Sequence, residues 1–293
     1  MTPVRSRRWS GAWATPADDS PVDIDVLIPT IGRTAELAVT LAGLAAQDAP
    51  AFSVIIADQS PDDEVASHPS VRSMTMVLEA QGRRVRVIRR AERRGLAEQR
   101  QFLLDRADAP YVLFLDDDVW LEPGALERMH TAIGRLHCGL VGQAVQGLSH
   151  LDDDRPSERE TFELWRGEVR PERIRPESPE YERWRLHNAA NLTHLAADLH
   201  LEPGEWRAYR IAWVGGCTLY DRRVLVEAGG FDFWQELPAV HAGEDVAAQW
   251  RVMERRGGAG IVPSGAVHLE APTTVPDRRV NVTEVVFDDT ASR

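Results

Sequence analysis

The chain contains no lysine; all 34 of its basic residues are arginine. That absence excludes a Walker A lysine, a Schiff-base lysine and any lysine nucleophile, and several nucleotide and cofactor chemistries go with them. Cysteine is nearly absent as well. Cys138 and Cys217 sit in no CxxC or Cys/His spacing, so neither structural zinc nor a disulfide framework is expected. They read as small buried hydrophobes that fit a reducing compartment. Positive charge is the scarcer sign, with a formal net charge of −12 and a pI of about 5.3, which argues against a nucleic-acid partner. No apolar run reaches the length of a membrane span. Residues 1–22 carry arginines but no apolar stretch, so they read as a tail rather than a secretory signal. Arg5, Arg7, Arg8 and Trp9 leave a peripheral membrane contact open, and the expected location is cytoplasmic.

What is present is an ordinary globular composition. With 293 residues, 43% of them hydrophobic, there is apolar mass for one large domain or two small ones. Residues 24–29 (IDVLIP), 52–57 (FSVIIA), 85–89 (VRVIR) and 111–115 (YVLFL) are short β-branched runs that read as strands. Residues 36–47, 96–107 and 122–136 carry apolar positions at helical spacing. This alternation predicts an α/β fold with a Rossmann-like, mostly parallel sheet flanked by helices. In such sheets ligands bind beyond the carboxyl ends of the strands. The predicted strands end in Thr30 and Arg33, in Asp58 and Gln59, and in Asp116 to Asp118, which should converge on one crevice. Further helices are expected at 188–199, 222–228 and 246–256, regular structure at 209–214, and strands at 217–220 and 259–262.

The run LDDDV at 115–119 carries the most chemistry. Three adjacent carboxylates at the mouth of a buried strand are costly unless something positive sits there. A divalent cation with oxygen ligands is one solution. Asp116 and Asp118 are two apart and share a face of an extended segment, so one can hold the metal while the other, with Asp117, meets a ribose or water. A solvated acidic turn remains the bland alternative. Haloacid-dehalogenase-type phosphatases also place DxD after a strand. Here, however, Val119 comes one residue too early for their motif, and their lysine is missing.

The motifs VLIPTIGR (26–33), ADQS (57–60), RRGLAEQR (93–100), LDDDV (115–119), GGCTLYDR (215–222), EAGGFD (227–232) and GEDVAAQWR (243–251) occur in this order. Together they resemble the family 2 glycosyltransferases with the A-type nucleotide-sugar-binding fold, over about 24–270 apart from 150–210. The resemblance implies a metal-dependent, inverting transfer of one sugar from a nucleotide-diphospho-sugar, UDP foremost, to an unidentified hydroxyl acceptor, with Mn²⁺ or Mg²⁺ as cofactor. It implies nucleotide contacts at Pro29, Thr30, Arg33, Asp58, Arg94, Gly95, Arg100, Asp116 and Asp117. It also implies a metal site of Asp116, Asp118 and His268, and an acceptor-side acidic pair Glu244 and Asp245 with Asp245 as general base. Each has a plainer reading: Arg100 as a solvent-facing helix charge, Asp245 as part of an acidic first turn, His268 as a structural histidine.

The implied organisation is a tail at 1–22, a nucleotide-sugar-binding half at 23–148, a charged insertion or lid at 149–208, an acceptor-side half at 209–275 and a C-terminal tail at 276–293. Gln59 and Gln101 stand where the family often has asparagine, and the Q-x-x-R-W motif of processive synthases is not evident. Single-sugar transfer is therefore expected over polymer synthesis. A degenerate nucleotide-binding domain and a metal-dependent nucleotidyltransferase are the alternatives. Trp165, Trp184, Trp206 and Trp234 read either as sugar platforms or as packing.

Overall fold

The computed structural model describes residues 9–14, 21–61 and 64–287. Arg5, Arg7 and Arg8 lie outside them, whereas Trp9 is described and exposed. The strands follow from runs buried on both faces. Ile24–Thr30 is β1; the helix α1, Thr34–Ala45, returns the chain to β2, Phe52–Asp58. After α2 (Pro69–Ala80) come β3 (Val85–Arg89), α3 (Leu96–Leu104) and β4 (Tyr111–Leu115). Every residue of β1 and β2 is buried. Alternate side chains point to opposite faces of a strand: Leu27, Ile55 and Phe114 pack on one side, and Ile28, Ile56 and Leu113 on the other. Burying each such side chain stabilises the fold by roughly 1.5–3 kcal/mol. Runs of this kind are therefore stable only with helices on both faces.

Three short elements interrupt the expected sequence. Val119–Leu121 is β5, which pairs antiparallel with β10, formed by Ala266–His268 late in the chain. The helix expected from 122 begins later, as α4 (Ala125–Leu136), behind the left-handed Gly124. Leu140–Gly142 is β6. The charged segment that follows holds short helical turns at Pro156–Arg159 and Pro179–His187, then α5 (Asn191–Asp198) and β7 (Arg207–Tyr209). It is fastened to the body by Glu172, which pairs with Arg183 at 3.3 Å and Arg210 at 2.5 Å. Phe162 also lies against Tyr209, with ring centroids 5.5 Å apart. The chain continues through β8 (Cys217–Asp221), α6 (Arg222–Glu227), α7 (Glu244–Arg256), β9 (Gly258–Val262) and α8 (Val282–Phe287).

The main sheet has eight strands in the order β3-β2-β1-β4-β8-β6-β9-β7. Only β8 and β7 run against the rest. Both halves of the chain therefore share one mostly parallel sheet. The register sets Thr30 beside Asp58 at the ends of β1 and β2, and Leu115 opposite Cys217 where β4 meets β8. The carboxyl end of β4 thus faces the start of β8, which is where Asp116 to Asp118 emerge. Among the described residues no helix is long and apolar enough to cross a membrane.

Candidate functional site

The three aspartates diverge as they leave β4, and each finds a different partner. Asp117 turns inward. It accepts a hydrogen bond from Thr30 Oγ1 at 2.6 Å and pairs with Arg33 Nη1 at 2.9 Å, while its carbonyl accepts from Thr40 Oγ1. Burial still outweighs these contacts and pushes its carboxyl up to about 6. Asp118 pairs with the same Arg33 nitrogen at 2.6 Å and lies 3.4 Å from His268 Nε2. Burial, and then the neighbouring Asp116, raise its pKa. Asp116 is the most open of the three and pairs with Arg100 Nη2 at 3.0 Å. Protein cations thus answer the cost of adjacent like charges.

Arg100 comes from α3 and is buried, its Nε 3.1 Å from Glu244 Oε1. Burial opposes its charge, but Asp116, Glu244 and Asp245 outweigh that and raise its pKa. Glu244 and Asp245 occupy the first turn of α7, behind Gly243 in the left-handed region (φ 87°). Asp245 keeps part of its surface open and accepts its next neighbour's N–H, Val246, at 2.8 Å. A helix N-terminus favours the ionised form, yet burial, with Glu244 second, pushes this carboxyl up to about 7. A carboxylate so placed ionises in the range where a general base works best.

These groups line one cavity of about 570 Å³. Pro29, Thr30 and Arg33 form one end, Asp116 to Asp118 the floor, and Glu244 and Asp245 the other end, with His268 also in its wall. The strand start at Gly215 and Gly216 runs close beneath. A Cβ on Gly215 would lie 3.8 Å from Asp245 Oδ2, and one on Gly216 3.5 Å from Asp116 Oδ2. Residues after β10 add the remaining wall, and Arg33 Nη2 donates to the Pro272 carbonyl there.

Three of the sequence candidates do not line this cavity. Asp58 is buried and accepts from the Ser60 N–H at 2.8 Å. Arg94 is exposed, pairs with Glu92 at 2.7 Å and lies over the Trp234 ring. Gly95 has φ 98°, and a Cβ there would meet His241 Cε1 at 2.4 Å and the Ala239 carbonyl at 2.7 Å. Its close approach is to the loop before α7. His241 explains that contact: Nδ1 lies 2.8 Å from the Pro238 carbonyl, and Nε2 accepts from the Ala97 N–H at 3.1 Å. It therefore caps the first turn of α3 from across the site. Sequence reasoning missed His241, Trp213 and Arg278; of these, Trp213 and Arg278 line the cavity. For Trp213 the available signal was its place just before the Gly215-Gly216 pair. Trp165, Trp184, Trp206 and Trp234 do not line it.

The donor set can be tested against a divalent cation. Asp116 and Asp118 offer hard carboxylate oxygens at the cavity floor, which suits Mg²⁺ or Mn²⁺ with other positions left for substrate and water. Among the described residues no group of three or more His, Cys, Asp or Glu is gathered to hold a metal. His268 Nδ1 accepts from the Glu270 N–H at 2.8 Å. In its neutral form the ring therefore presents Nε2–H, not a lone pair, toward Asp118. The residues fit a cation held by two carboxylates in an open site.

Residues 25–210 match a family model described as glycosyl transferase family 2. No curated protein matches the chain. Among solved structures, the crystal structure of S. aureus TarS 1-349 aligns with a TM-score of 0.51 at 16% identity, covering 84% of this chain and 59% of that one. The mannosyltransferase PcManGT from Pyrobaculum calidifontis, in complex with GDP-Man and Mn²⁺, aligns with a TM-score of 0.50 at 15% identity, covering 88% and 64%. TarS 1-349 in complex with UDP-GlcNAc gives 0.50 at 14%, covering 86% and 60%. This chain spans less than two thirds of each of those chains, and at these identities the likeness is one of fold.

Proposed function

Because this chain belongs to glycosyl transferase family 2, we propose that it is a glycosyltransferase that moves one sugar from a nucleotide-diphospho-sugar to a hydroxyl acceptor. The leaving group is uridine diphosphate, and the anomeric carbon is inverted. The observation that carries this reading is that Asp245 and the Asp116–Asp118 pair line one cavity, with Arg100 tied to Asp116 and Glu244 between them.

The nucleoside lies at the end formed by Pro29, Thr30 and Arg33, and the diphosphate over Asp116 and Asp118. Asp116 and Asp118 would hold a divalent cation, which would supply positive charge for the leaving diphosphate. Asp245 takes the proton of the acceptor hydroxyl. The freed oxygen bonds to the anomeric carbon as the carbon–oxygen bond to the diphosphate breaks, and that bond's electron pair departs with the nucleotide. A pKa of about 7 suits Asp245 to this proton transfer near neutral pH. Arg100 counters part of the upward push from burial and Glu244, and so favours the ionised form of Asp245 that accepts the proton.

Calorimetric titration of UDP, GDP and dTDP, each with and without Mn²⁺, tests the donor half of the proposal. Metal-dependent binding of UDP in preference to the other two is the expected result. A folded chain that binds none of them is not a nucleotide-sugar transferase of this kind.

A further inference from the structure

A second chamber, of about 210 Å³, shares Trp213, Ala242, Gly243, Val246 and Arg278 with the main cavity. None of Pro29, Thr30, Asp116, Asp117 or Asp118 lines it. It therefore opens from the Asp245 end, away from the proposed donor. A molecule presenting a hydroxyl to Asp245 from opposite the donor would extend into this space.

Its walls are aromatic. Tyr181 comes from the charged segment, Trp213 from the loop before β8 and Trp250 from α7, with Tyr181 centred 5.6 Å from Trp213 and 6.2 Å from Trp250. Trp250 is fully buried, and its Nε1–H donates to the Ala212 carbonyl at 3.0 Å, so it forms the fixed back of the chamber. Trp213 is only half-buried and lines both spaces. A pyranose has an apolar C–H face and a polar rim, which matches an aromatic face flanked by hydrogen-bonding groups.

Charge narrows the ligand further. Five carboxylates line the main cavity (Asp116, Asp117, Asp118, Glu244 and Asp245). Of the arginines lining it, Arg33 is engaged by Asp117 and Asp118, and Arg100 by Asp116 and Glu244. Arg278 is exposed and has no carboxylate partner among the described residues, and it lines both spaces. Asn281 shares the chamber. Its Oδ1 accepts from the Thr283 N–H and Oγ1, which leaves its side-chain NH₂ as a donor. In a chain of net charge −12, a guanidinium with no carboxylate partner among the described residues is a local anion site, and its planar fork pairs with carboxylate or phosphate.

We propose that this chamber is the acceptor subsite and that the acceptor is a sugar ring bearing an anionic substituent, phosphate or carboxylate, stacked on Trp213 and Tyr181 with its anion on Arg278. The assignment rests on the transferase reading above.

The test uses the full chain and three probes with one ring in common: methyl glucoside, glucose 6-phosphate and methyl glucuronide. Each is titrated by calorimetry into protein saturated with UDP and Mn²⁺. An anionic probe should bind about tenfold or more tightly than the neutral one, and which anion does so identifies the substituent. Arg278→Gln, an exposed change, should erase that preference and leave UDP affinity within about twofold. Trp213→Ala should weaken all three probes. Equal affinity of the wild type for charged and neutral probes, undetectable binding of all three included, overturns the proposal. So does a loss of UDP affinity in Arg278→Gln, which would move this arginine to the donor. A chain that binds no nucleotide fails at the earlier step, in the titration without any probe, and takes the acceptor assignment with it.

Discussion

Arg100 and Glu244 meet in a buried ion pair, Nε to Oε1 at 3.1 Å, across 144 residues of sequence. Arg100 also holds Asp116 at 3.0 Å, so a single guanidinium joins the floor of the cavity to the end that carries the proposed base. The first half of the chain supplies the arginine and the second supplies the glutamate. The site is therefore assembled only when both halves of the sheet are in register.

Removing that guanidinium strands Asp116, Glu244 and Asp245 together. Breaking a buried pair by deleting one partner costs about 3–5 kcal/mol. We expect Arg100→Ala to lose stability on that scale in denaturant unfolding. Arg100→Lys should lose less, because it keeps the charge but not the fork that reaches two carboxylates. A loss under about 1 kcal/mol in Arg100→Ala would mean that the pair is solvated and the join between the halves lies elsewhere.

Asp245→Asn should leave UDP binding intact and cut turnover by about 10²-fold or more, the usual scale for losing a general base. Because the base acts when ionised, wild-type turnover should rise with pH through about 7, and the variant should lose that limb. Stability should run the other way. A carboxyl whose folded pKa is raised binds its proton more tightly when folded, so its contribution fades as pH climbs from the ordinary carboxylate range through about 7. Asp245→Asn should then be more stable than the wild type at pH 8. A variant with an unchanged pH profile would remove Asp245 from the base role.

Chelation should weaken UDP binding by about tenfold or more, and Asp118→Asn should give the same loss without chelator. Adding chelator to that variant should then change little, because both act on one contact. His268→Ala separates two arrangements. With the Glu270 N–H on Nδ1, the neutral imidazole turns an N–H rather than a lone pair toward Asp118, 3.4 Å away, and its loss should alter nucleotide affinity less than the loss of Asp118 does. Metal affinity that falls as far in His268→Ala as in Asp118→Asn would make the histidine a ligand.

The strands β1, β2 and β4 were legible because residues buried on both faces of a parallel sheet read as continuous apolar runs. Helix α2 was not, since it buries only Val71 and Leu78. The strands β5, β6 and β10 have three residues each, too few for alternation to show. Within the site, Asp116 to Asp118 stood out because adjacent carboxylates need a local explanation. Arg100 was left between a phosphate contact and a solvent-facing charge, because its partners lie 16 and 144 residues away. His241 and Arg278 owe their roles to neighbours distant in sequence, and no local pattern marks them.

Gly95 offers a test that separates structure from ligand contact. Its φ of 98° is matched by Gly167 at 97°, where a Cβ would meet nothing within 4 Å. Both alanine variants carry similar backbone strain, of order 1–3 kcal/mol, but only Gly95→Ala drives a methyl into His241 and the Ala239 carbonyl. Gly95→Ala should therefore be clearly the less stable in thermal or denaturant unfolding. It should also loosen the His241 cap on the Ala97 N–H, and with it the setting of Arg100 one turn further along α3. If the two variants are equally stable and Gly95→Ala loses only nucleotide affinity, the glycine serves the bound diphosphate, and the contact with His241 is incidental.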